Sequence, residues 1–255
     1  MPPSPQLESP SRPPPMCRSQ VLRTLFLPAL LLILLACDST DVTQPGAADQ
    51  VFAQDFRDHP NGSSPQGWLP AWNVAQQRWE VQHEAEAEVP RLVHASSADA
   101  HRLLAWMEVG TPVNVEIVAR VQATELPQRA QNRLIVRARG GPADETGYAL
   151  ELWQNRVRIV RLVEGSETPL AEAEGVRWEP NRWYWLRFRA EGSRLQARFW
   201  EDDQPEPPGW TFETTDELIT EAGVVGVGAH ASSGTRQFTH LAVGVGGATA
   251  PIQSP

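Results

Sequence analysis

Residues 183–200 read Trp-Tyr-Trp-Leu-Arg-Phe-Arg-Ala-Glu-Gly-Ser-Arg-Leu-Gln-Ala-Arg-Phe-Trp, and their pattern decides the fold class. Tyr184, Leu186, Phe188 and Ala190, then Leu195, Ala197 and Phe199, recur with period two, the repeat of a strand that buries one face. Glu191-Gly192-Ser193 between the two runs is turn sequence, too short for a helical crossover, so the pair predicts an antiparallel hairpin.

The same alternation extends outward in both directions. It marks 113–123, 133–139, 148–153 and 156–163, then 51–56, 78–82, 91–95 and 102–108 upstream, and 210–214, 223–231 and 237–245 downstream. With the opening hairpin that makes about thirteen strands, joined by turn formers such as Gly140-Gly141-Pro142 and Gln154-Asn155. An all-β, two-sheet antiparallel sandwich follows, covering residues 51–247, with 248–255 as a disordered tail. One helical turn is expected at Asp216–Glu221, and no fixed-period repeat is visible.

Composition narrows the function classes. The 22 basic residues are all arginine and are outweighed by 31 acids, so no broad cationic surface is available for a nucleic-acid backbone. Two cysteines cannot frame a disulfide scaffold, and no cysteine–histidine cluster has zinc spacing. Leu25–Leu35 is an apolar run preceded by Arg18 and Arg23, too short to span a bilayer but suited to the hydrophobic part of an export signal. It ends in Leu34-Leu35-Ala36-Cys37, which resembles the bacterial lipobox, in which cleavage leaves an N-terminal cysteine that carries lipid. Residues 1–36 are therefore expected to be a lipoprotein signal, with Met1 or Met16 as the start, Cys37 as the lipidation site and 37–50 as a flexible tether. Removing 1–36 takes away Arg12, Arg18, Arg23 and Glu8 and leaves a net charge of −11. The expected location is a bacterial cell envelope, on the outer or the cytoplasmic membrane.

The order Tyr148-Ala-Leu-Glu-Leu-Trp153, Arg156-Val-Arg-Ile-Val160, Trp183-Tyr-Trp-Leu-Arg-Phe188, Gly192, 195–200, Gly223-Val-Val-Gly226 and Phe238 resembles the concanavalin A-like lectin/glucanase superfamily, in particular its laminin G-like branch. That resemblance implies a jelly-roll sandwich with one concave sheet. Its members include glycan binders, glycosidases, lyases and protein-binding modules, and fold does not choose among them.

Alternation assigns faces. Inward sets are Leu134, Val136 and Ala138; Tyr148, Leu150 and Leu152; and the two sets of the opening hairpin. If these strands neighbour one another in one sheet, the opposite face gathers Arg137, Arg139, Glu151, Trp153, Trp185, Arg187, Arg198 and Trp200. Indoles stack on sugar rings and arginine forks bind hydroxyls and carboxylates. The candidate ligand-binding residues are accordingly Trp153, Trp185, Trp200, Arg137, Arg187, Arg198 and Glu151. Arginine stems covering cross-strand tryptophans, or loops folded over the face, would give the same pattern without a ligand. Trp68, Trp72, Trp79, Trp106 and Trp178 are expected in core or loop packing.

A catalytic set is not legible. The superfamily's laminarinase-type strand Glu-x-Asp-x-x-Glu is missing, and Glu116 and Glu151 lie on separate strands. The alginate-lyase arrangement cannot be assembled from adjacent Gln82-His83 and the two tyrosines, 148 and 184. His59, His83, His94, His101, His230 and His240 are scattered, and Ser232-Ser233-Gly234 forms a turn without a nucleophile elbow. Calcium, bound in laminin G-like sandwiches by loop acids, could draw oxygens from Asp55, Asp58, Asp202 and Asp203. The expectation is a monomeric, non-catalytic, lipid-anchored module that binds a polysaccharide or glycoconjugate through the Arg/Trp face. The alternatives are a protein-interaction or envelope scaffold and a divergent glycan-active hydrolase or lyase.

Overall fold

The computed structural model of the protein describes residues 49–85, 89–95, 100–125, 130–230 and 234–252. The signal, Cys37, most of the tether, Ser232 and Ser233 lie outside them. Among the described residues the structure is all-β, with two single 3-10 turns and no α-helix.

The strands are β1 (Gln50–Gln54), β2 (Trp68–Pro70), β3 (Trp79–Gln82), β4 (Arg91–Ala95), β5 (His101–Trp106), β6 (Val115–Ala123), β7 (Ala130–Arg139) and β8 (Thr146–Trp153). They continue as β9 (Arg156–Val163), β10 (Ser166–Glu172), β11 (Tyr184–Glu191), β12 (Arg194–Glu201), β13 (Phe212–Thr215), β14 (Val224–His230) and β15 (Thr235–Val245). Two antiparallel sheets result. Sheet I runs β13-β12-β11-β6-β15-β4-β3, with β1 also paired to β15; sheet II runs β10-β9-β8-β7-β14-β5-β2.

All thirteen expected strands are present, and β2 and β10 are additions. Both are edge strands, where one face need not be apolar. β10 reads Ser-Glu-Thr-Pro-Leu-Ala-Glu, with Pro169 at a register shift, and depends on pairing with β9. The expected turn of helix at Asp216–Glu221 is irregular coil with bends at Leu218 and Glu221. Tyr148 holds it there, its hydroxyl donating to Asp216 Oδ1 at 2.6 Å and accepting from the Ile219 amide at 3.0 Å.

The hairpins β7-β8-β9-β10 stay in sheet II and β11-β12-β13 stay in sheet I. Residues 173–183 carry the chain from one sheet to the other. The strands grouped on one face by the sequence are therefore divided between the two sheets. Their inner sets do meet: Leu134, Val136, Tyr148, Leu150 and Leu152 from sheet II pack with Tyr184, Leu186, Phe188, Leu195 and Ala197 from sheet I in one core cluster. Full burial of each such aliphatic or aromatic side chain stabilises by about 1.5–3 kcal/mol over leaving it exposed.

Alternation breaks in β7. The register shifts between Val136 and Arg139, and Arg137 takes the left-handed conformation, φ 52°. Ala138, assigned inward, joins a second apolar cluster with Trp72, Leu103, Ile135, Ala149, Val160 and Leu162 instead. Opposite the bulge stands Gly223, where a Cβ would overlap the Arg137 backbone, which explains the glycine that begins Gly223-Val-Val-Gly226.

Candidate functional site

On sheet I, the outward residues of β11 and β12 are placed as the alternation requires. Trp185 and Trp200 are cross-strand partners stacked with centroids 5.9 Å apart and planes at 6°. They are nevertheless only 5% and 6% exposed, packed with Val118, Ala242 and Ala250. The Trp185 indole N–H donates to Asp202 Oδ1 at 3.0 Å, and Asp202 also takes both forks of Arg120, at 2.7 and 2.6 Å. These donors hold the Asp202 carboxyl below its usual range despite partial burial.

The arginines of this face are equally committed. Arg187 is paired with Glu116 and Glu206 and donates to the Ala250 carbonyl at 2.8 Å. Arg198 meets Glu206 Oε1 at 2.5 Å and lies 4.4 Å above Trp210. Ala250, placed in the tail by the sequence, is buried, and its amide donates to Glu116 at 3.0 Å. The 202–210 loop and the 248–252 segment thus contact the tryptophans and forks that a sugar would need.

On sheet II the bulge turns Arg137 away from the outer face, to donate to the Val113 and Ile219 carbonyls at 2.7 and 2.8 Å. Glu151 is outward but fully buried. Arg133 Nε donates to its Oε2 at 2.6 Å and Arg158 Nε to its Oε1 at 2.5 Å. Glu167 pairs with the same two arginines, and Arg158 lies 4.2 Å over the half-buried Trp153. Two arginines and two glutamates balance, leaving no spare charge. Glu116 and Glu151, considered above as a carboxylate pair, sit in opposite sheets.

The scattered histidines are corrected in one respect. His101 and His230 are cross-strand partners with centroids 4.0 Å apart, and with Glu167 they form a three-donor group. Two histidines and a glutamate suit zinc, but a cation is already there. Arg133 Nη1 donates to His101 Nδ1 at 2.8 Å while the opposite His101 nitrogen meets the Gly165 carbonyl at 3.0 Å. Burial first, then Arg133, lower the His101 pKa to about 3. The cluster is a closed ion network built around a guanidinium. Among the described residues the four loop acids suggested for calcium form no such group, and Asp55 pairs with Arg57 as Asp202 does with Arg120.

An open cavity lies elsewhere, between the edge strands β2 of sheet II and β3 of sheet I. Its volume is about 250 Å³, and its lining includes Trp68, Trp79, Leu104, Gln77, Arg78 and Glu80. β2 is three residues long and ends at Pro70, whereas β3 is edged by the 62–63 segment through Gly62 N to Val81 O and Val81 N to Ser63 O, both 2.8 Å. Trp68 is stacked on Trp106 at 4.8 Å, and Trp79 packs on His94 at 4.4 Å while donating to Gln77 at 2.6 Å. The Trp68 indole N–H is buried without an acceptor among the described residues, an arrangement that costs about 1–3 kcal/mol unless something accepts from it. Arg78 is exposed at the same cavity. The sequence placed both tryptophans in packing, which is correct. That both border one cavity was hidden, because nothing local says that β2 and β3 lie on either side of it.

No family model and no curated protein matches the sequence. Solved structures do. A carbohydrate-binding module, CBM66, from Bacillus subtilis aligns with TM-score 0.51 and 15% identity, over 71% of this chain and 98% of its own. A protein of unknown function from Shewanella oneidensis aligns with TM-score 0.51 and 14% identity, over 89% and 100%. A GH43 protein of Bacillus licheniformis aligns with TM-score 0.50 and 10% identity, over 75% of this chain but 38% of its own. At these identities the likeness is one of fold.

Proposed function

We propose that the chain is a non-catalytic saccharide-binding module, held at a bacterial cell envelope through lipid on Cys37, and that it binds in the cavity between β2 and β3. The observation that carries this reading is the open cavity itself, whose lining joins Trp68, Trp79 and Leu104 to the polar groups of Gln77, Arg78 and Glu80. A sugar presents apolar C–H groups beside hydroxyls, and a lining that sets apolar side chains beside a guanidinium, an amide and a carboxylate matches both. About 250 Å³ lies below the range of pockets for drug-sized ligands, roughly 300–1,000 Å³, and suits one ring or a chain end. Among the described residues the lining offers one carboxylate, Glu80, whereas paired-carboxylate hydrolysis needs two about 5–9.5 Å apart. The likeness of fold to the Bacillus carbohydrate-binding module supports this reading.

The test is calorimetry of the full-length protein in detergent against hits from a glycan array. Glu80→Ala, which removes the carboxylate acceptor from the lining, is expected to weaken binding about three- to tenfold. Trp185→Phe, on the covered face, is expected to leave affinity unchanged. If the array shows no binding, the covering of Trp185 and Trp200 favours the scaffold alternative.

Anchoring has its own measurement. Mass spectrometry of the membrane form should find Cys37 N-terminal and carrying a diacylglyceryl group, and Cys37→Ser should move the protein out of the membrane fraction. An unmodified Cys37 inside a longer peptide would contradict the anchor.

A further inference from the structure

We infer that the cavity between β2 and β3 selects an acidic sugar, one that carries an oxyanion on its ring substituent, with Arg78 as the docking group. This deepens the saccharide reading and rests on it. The chain has more acids than arginines, so an exposed guanidinium ordinarily finds a carboxylate. Arg57 holds Asp55, Arg139 holds Glu221, Arg182 holds Glu201 and Arg194 holds Glu213. Arg177, exposed without a carboxylate, spends a donor on the Val176 carbonyl at 2.6 Å. Arg78 has neither an ion pair nor a hydrogen bond among the described residues, and it lines the cavity beside Trp79.

A guanidinium carries five donors in a planar fork that matches a carboxylate or sulfate with two parallel bonds. Exposed in the lining of a cavity that Trp68 and Trp79 also border, it can meet the charged substituent of a ring seated there. Glu80, two residues along and in the same lining, has the opposite consequence: it accepts from hydroxyls and repels a second anion. The site therefore suits one acidic residue at a chain end rather than a densely charged run, and the overall negative charge of the chain disfavours long polyanions in the same sense.

The experiment uses the full-length protein and matched monosaccharides that differ at one carbon: galacturonate, galactose 6-sulfate and galactose, with glucuronate and mannuronate beside glucose and mannose. In whichever series binds, an acidic member should bind at least tenfold more tightly than its neutral partner, the scale of a charge-assisted bond. Preference for the carboxylate over the sulfate, or the reverse, identifies the oxyanion. Arg78→Gln should erase the difference within the pair, and Arg177→Gln should keep it. Arg78 is exposed, so both variants are expected to melt like the parent. If acid and neutral members bind alike and Arg78→Gln changes neither, the acidic preference is overturned while the saccharide site stands. If no member of any series binds and the glycan array is also blank, the saccharide reading falls and this inference with it.

Discussion

Glu151→Leu should destabilise the protein by about 3–5 kcal/mol, the cost of breaking a buried ion pair from one side. Glu151 and Arg133 are both fully buried, and Arg158 shares the same carboxylate. With Glu151 gone, two guanidiniums are left on Glu167 alone, and the surplus charge is poorly solvated on a face where neighbouring side chains shield it. The double variant Arg133→Met/Glu151→Leu removes one charge of each sign and leaves Arg158 with Glu167. It should recover most of the loss, since replacing a whole buried pair by apolar groups is often close to neutral. The exposed Arg156–Glu172 pair, 2.8 Å long, is the contrast: Glu172→Leu should cost less than about 1 kcal/mol. Urea midpoints decide the matter. A Glu151→Leu loss no larger than that of Glu172→Leu would mean that water reaches the network and screens it.

Acid should be the second large perturbation. His94 is fully buried against Trp79, neither of its ring nitrogens has a partner among the described residues, and burial, then Arg236 and Arg102, lower its pKa to about 3. His101 is likewise lowered to about 3, by burial first and then Arg133 and His230. Both histidines regain a pKa near 6.5 on unfolding. Between these values the unfolded chain binds more protons than the folded one, so the stability they contribute is present above pH 6.5 and is lost as pH falls towards 3. Each contributes a slope of about 1.4 kcal/mol per pH unit, and two of them acting from pH 6 to pH 4 remove about 5 kcal/mol, comparable to the whole stability of a small domain. Glu167, held below the usual carboxylate range by Arg133 and His230, adds a further loss below its unfolded value. Unfolding followed at pH 7, 5.5 and 4.5 should show the midpoint falling, and His94→Phe/His101→Gln should flatten the fall above pH 4.5. A parent midpoint that is constant from pH 7 to 4.5 would exclude neutral buried histidines as its source.

Strand content and inward packing were legible because they are local. A period of two is written within each run, and Tyr184, Leu186, Phe188 and Ala190 bury together whichever strand lies beside them. The hairpin turns are local as well. They fix the order within β7-β8-β9-β10 and within β11-β12-β13, but no turn sequence states that residues 173–183 change sheets. For that reason Glu151 and Trp153 could not be separated from Trp185 and Trp200 by reading alternation. Arg137 escaped for a related cause: one left-handed residue reverses the faces beyond it, and its opposite is a glycine more than eighty positions away.

What the site offers a ligand was decided by tertiary contacts alone. Arginine and tryptophan at outward positions describe an open surface or a covered one equally well. The difference comes from Glu206 and the Ala250 backbone reaching Arg187 across the sheet, and from Glu167 doing the same for Arg133 and Arg158. The converse holds at β2 and β3. Sequence properly assigned Trp68 and Trp79 to packing, and both are nearly fully buried, yet they also border the cavity between β2 and β3. Which tryptophans border it depends on the order of strands in both sheets, a property of pairings between distant segments rather than of any segment itself.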